Sequence, residues 1–68
     1  MNLQKSELVE TLALRVLERF GNSKADLDKN CWMILHEYHH GVMPSEYDIR
    51  EVDEDLYLAV MKRVKSLI

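Results

Sequence analysis

Three histidines stand together in the stretch His36-Glu37-Tyr38-His39-His40. His36 and His40 have i,i+4 spacing. On a helix that spacing puts both imidazoles on one face, where they could hold one divalent ion such as zinc. Glu37 beside them has the chemistry to activate a metal-bound water as general base. A hydrolytic centre needs a third ligand as well. Glu46 or Asp48 could supply it if the Gly41–Pro44 segment turned the chain back. No other stretch names a reaction. There is no glycine-rich phosphate loop, and the acidic segment lacks the glycine and the D-x-D-x-D-G order of a calcium loop.

These residues need a helix to carry them. Ser23 followed by Asp26 resembles a capping box, and Leu27, Cys31, Ile34, Leu35 and Tyr38 form an apolar stripe at the helical period. The sequence thus predicts a helix over 24–40. Gly41 ends it where positive φ is needed, Val42 is placed for the hydrophobic contact of a Schellman turn, and Pro44 forbids continuation. A first helix is expected over 7–20, with Ser6 as N-cap. Its apolar half is Leu8, Val9, Leu12, Ala13, Val16, Leu17 and Phe20, with Gly21 after it. A third is expected over 54–67, with Leu56, Tyr57, Val60, Met61, Val64, Leu67 and Ile68 on one face. Its acids lie at the start and Lys62, Arg63 and Lys65 near the end, as the macrodipole prefers. Ser45 with Asp48 would cap a short fourth helix at 45–50. No segment alternates with period two. The expected fold is all-α, a single domain over 1–68 built as a small three-helix bundle.

Size and charge narrow the function. A chain of 68 residues buries only about 60% of its unfolded surface, so its core is small. The longest apolar runs, such as Trp32 to Leu35, are too short to span a membrane. The start, MNLQKSELVE, has no apolar secretory segment, and Cys31 has no partner for an internal disulfide. A reducing cytoplasm is the expected setting. The net charge of −3 disfavours nucleic acid. A helix-turn-helix reading across Gly21-Asn22-Ser23 would open its recognition helix with Asp26 and Asp28, which repel phosphates.

The His36–His40 pair also stands on the side of its helix away from the apolar stripe. With Leu27 at 0°, that stripe centres near roughly 30°, while His36 and His40 fall at about 180° and 220°. They are expected to face solvent or a partner, beside Lys29 and Met33. Over five residues, HEYHH resembles the zinc-binding segment of zincin metallopeptidases. That resemblance implies His36 and His40 as ligands and Glu37 as base. Zincins, however, hold peptide substrates along a sheet edge, and this chain shows no strand. The expectation is that the protein is not an enzyme, and that the histidines suit a helix C-terminus. The alternative is an exposed zinc site of His36 and His40, closed by Glu46.

Six of the twelve acids fall within residues 46–55: Glu46, Asp48, Glu51, Asp53, Glu54 and Asp55. They form either ordinary helix N-terminal charge or a docking surface for a basic protein. Trp32, at the edge of its stripe, is expected to pack on a neighbouring helix or to anchor a partner. Leu14, Met33 and Leu58 fall on polar faces, and if clustered they would mark a contact surface, most simply a homodimer. Residues 31–60, CWMILHEYHHGVMPSEYDIREVDEDLYLAV, and the closing helix they lead into resemble small helical proteins of phages and mobile elements, tail-assembly chaperones among them. That resemblance implies action by binding other proteins. The expected role is a non-catalytic interaction module that uses Asp53, Glu54 and Asp55 for steering and Trp32, Leu14, Met33 or Leu58 as anchors.

Overall fold

The computed structural model describes residues 4–22, 24–45 and 50–68. Among them stand three helices, α1 (Lys5–Phe20), α2 (Leu27–His40) and α3 (Glu54–Leu67), each packed on the other two, with no strand. No described helix is long and apolar enough to cross a membrane. The expected turn at 45–50 lies largely outside the described residues, and the flanking Ser45 and Arg50 are not helical.

Two helix starts differ from expectation. α1 begins at Lys5, because the Leu8 N–H already bonds the Gln4 carbonyl at 2.9 Å. Ser6 therefore lies inside the helix, and Gln4 provides no side-chain cap. α2 begins at Leu27, not Lys24. Lys24, Ala25 and Asp26 are exposed, and without apolar surface to bury, a helical turn there gains nothing from packing. Asp26 stands at the N-cap and its carbonyl accepts the Asn30 N–H at 2.8 Å. Ser23, the expected cap, is outside the described residues. The link between α1 and α2 is thus 21–26, longer than the tight turn of a helix-turn-helix. α3 starts as expected: the Asp53 carboxylate accepts the Leu56 N–H at 3.2 Å.

The core is Leu12, Ala13 and Val16 of α1, Leu27, Cys31, Ile34 and Leu35 of α2, and Leu56, Val60 and Val64 of α3. Met43 and Val52, from the connection between α2 and α3, pack against it as well. α2 and α3 are antiparallel. His39 meets Asp53 at one end, and Leu27 and Asp28 line a cleft with Lys65 and Ile68 at the other. α1 is tied to α3 by a two-bond pairing of Arg63 with Glu10, and its last turn reaches α2 through Arg19 and Glu37 at 3.6 Å.

Candidate functional site: a histidine clasp

α2 closes at Gly41, whose φ of 77° and ψ of 0° are left-handed and least costly for glycine. The Gly41 N–H bonds the Glu37 carbonyl at 2.8 Å, the αL arrangement, not the expected Schellman pair. The Val42 side chain is 46% exposed. At this residue the backbone does the holding.

His36 is wholly buried, which corrects the expectation that it faces solvent. The helical wheel accounted for packing by α1 and α3 only. Partly buried Met43 and Val52 pack on the core, and the described residues 41–45 and 50–53 that carry them come back to the histidine face of α2. All three histidines then bond the backbone of these residues. His36 Nδ1 lies 2.8 Å from the Val42 carbonyl oxygen. His40 Nε2 lies 2.7 Å from the Glu51 carbonyl oxygen. The Asp53 N–H donates to His39 Nε2 at 3.2 Å.

These partners determine the tautomers. A carbonyl only accepts, so His36 carries its proton on Nδ1 and His40 on Nε2. A backbone N–H only donates, so His39 Nε2 must be bare and its proton sits on Nδ1. The rings also touch one another along the helix. Trp32 and His36 centroids are 5.5 Å apart, and those of His36 and His40 are 4.8 Å apart. Trp32 is half-buried, and its ring lies against that of His36.

The geometry redistributes the other proposed site residues. His36 and His40 do share a face, but Glu37 turns to α1, where it pairs with Arg19. Among the described residues, no three His, Cys, Asp or Glu side chains are grouped to hold a metal. Glu46 and Asp48 lie outside the described residues. Glu51, Asp53, Glu54 and Asp55 are exposed, and the clasp grips the backbone of the first two. Leu14 and Leu58 are about half-exposed on α1 and α3, at 50% and 51%, and Met33 is half-buried. Tyr38, expected in the core stripe, is 44% exposed. Sequence reasoning missed Tyr38 and Val42 as surface residues and the histidines as a clasp. The available signal was the Gly41–Pro44 reversal, with the apolar Val52 just ahead of α3.

Cys31 is buried, and its thiol is pushed up to about 11, first by desolvation and then by the charge of Asp28, against an opposing pull from Lys65. A thiol held neutral in this way is packing material, not a nucleophile.

Residues 7–68 match the family described as Domain of unknown function (DUF8662). The chain belongs to the DUF8662 family. No curated protein and no solved structure matches it. The DUF8662 match extends from the first turn of α1 through the end of α3, so the whole clasp lies within it.

Proposed function

We propose that this chain is a non-catalytic protein-binding module whose docking face is the end of the bundle where α2 stops and α3 starts. One observation carries the reading: His40 and His39 grip the backbone at Glu51 and Asp53, at 2.7 and 3.2 Å. The carboxylates of Glu51, Asp53, Glu54 and Asp55 are thereby presented on an anchored segment, with half-exposed Tyr38 against the His39 ring at the end of α2 and half-exposed Val42 just past it. Charges on an already ordered segment cost less conformational entropy when a partner binds. The partner that fits is a protein segment with lysines or arginines around an apolar anchor. Its charge would raise the association rate, and Tyr38 and Val42 would set the dissociation rate. Engagement of Glu37 with Arg19 supports the non-catalytic reading. The free, buried Cys31 suits a reducing cytoplasm, the compartment proposed for it.

The test uses a lysine-rich amphipathic peptide as probe, with association followed at several salt concentrations. Reversal of Glu51, Glu54 and Asp55 to Lys should slow association and flatten its salt dependence. Tyr38→Ala should speed dissociation with little change in association. Rates untouched by the charge reversal would remove the steering role of this face.

A further inference from the structure

We propose that His39 is a proton-operated latch on the acidic segment: protonation of its ring releases the Asp53 amide and loosens the platform. The inference deepens the docking reading and, for its effect on a partner, rests on it. Hydrogen-bond polarity distinguishes His39. His36 and His40 give protons to carbonyls, and a cationic imidazole would still donate from those same nitrogens. His39 receives one, from the Asp53 N–H. A cationic imidazole is a donor at both nitrogens and has no lone pair left to receive it. Protonation thus sets two N–H groups against each other at this link.

The groups around His39 determine where a protonated ring turns. On α2, His39 touches Tyr38 and His40, with ring centroids at 5.1 and 6.1 Å. Its bond to the Asp53 amide sets it beside Asp53, and Glu51, Glu54 and Asp55 lie within two residues of Asp53 in the chain. From α1, Arg19 reaches α2 already paired with Glu37. The acids attract a positive ring, so a protonated His39 turns from the Asp53 amide to the Asp53 carboxylate. That carboxylate is the N-cap of α3, bonded to the Leu56 N–H. The switch therefore exchanges a backbone clasp for an ion pair that competes with the cap. It also places positive charge on a face whose proposed partner is basic. His39 is exposed, so the proton has open access.

The experiment is a titration of the isotope-labelled full chain by nuclear magnetic resonance, across the range in which imidazoles change charge, about pH 7.5 to 5.5. The expected result has three parts. Neutral His39 is the Nδ1–H tautomer, the Asp53 and Leu56 amides shift and lose exchange protection with the midpoint of the His39 ring, and His39→Gln abolishes that response. Glutamine keeps a carbonyl oxygen to receive the Asp53 N–H at every pH. Amides that ignore the His39 midpoint would overturn the latch, as would the same response in His39→Gln, which assigns it to His40 or the carboxylates. The lysine-rich peptide is then titrated at both ends of the range. Weaker binding at low pH in the wild type but not in His39→Gln extends the latch to the docking face. No peptide binding at either pH, with the amide response intact, would sink the docking reading and leave the latch standing.

Discussion

His36, closed off from solvent, donates its Nδ1–H to the carbonyl of Val42 across the Gly41 turn at 2.8 Å. One side chain thus completes a helix end and secures the start of the connection that covers it. Loss of that hydrogen bond costs about 0.5–1.5 kcal/mol, and loss of the ring adds a void between Trp32 and His40. His36→Ala should accordingly lower the urea midpoint and red-shift Trp32 fluorescence. His36→Phe, which restores the ring without the donor, should recover part of that loss. Equal stability of His36→Ala and the wild type would show that the clasp contributes nothing.

Asp53 has two separable duties. Its carboxylate caps α3 and its amide bonds His39. Loss of an N-cap costs about 0.5–2 kcal/mol, so Asp53→Ala should be destabilised by that order in thermal or urea unfolding. Asp53→Asn keeps a capping oxygen and the amide but not the charge. It should unfold close to the wild type while associating more slowly with the lysine-rich peptide. Full destabilisation of Asp53→Asn would mean that charge, not the hydrogen bond, holds the start of α3.

The Cys31 thiol gives a signed pH dependence. Its folded value, about 11, lies above the ordinary 9.0. Between those values the unfolded chain has released the thiol proton and the folded chain has kept it. Stability from this group is therefore intact below about pH 9 and falls as pH rises towards about 11. Cys31→Ala should lose that alkaline decline, whatever its offset at neutral pH. Iodoacetamide at pH 8 should modify Cys31 only after urea unfolds the chain, and rapid labelling of the native protein would contradict the burial.

Exposure should sort the apolar substitutions. Ile34 is fully buried and Leu14 is half-exposed. Ile34→Ala should cost about 2–5 kcal/mol, a large share of the stability of a chain this small. Leu14→Ala should fall within about 0.5 kcal/mol of the wild type. A comparable loss at Leu14 would place it in an interface, to be checked by sedimentation at several concentrations.

The sequence by itself determined the three helices and most of their apolar faces. These are properties of neighbours: a recurrence every three to four residues and a glycine or proline stop. The ends of α1 and α2 at Gly21 and Gly41 were legible for the same reason. Their starts were less so, because the Gln4 carbonyl replaced Ser6, and the turn at Lys24 had nothing to bury. Only the tertiary structure decided which way the histidines count. The wheel put His36 opposite the core stripe, and that is its place on α2. What the wheel lacks is the return of residues 41–45 and 50–53 to that face, where Met43 and Val52 pack on the core. The link from His39 to Asp53 spans fourteen positions, and that from Arg19 to Glu37 joins two helices. Neither has a local pattern, since each depends on where a distant piece of backbone comes to rest. Thus HEYHH, a metal motif by spacing, becomes in three dimensions a set of hydrogen bonds that holds an acidic segment in place.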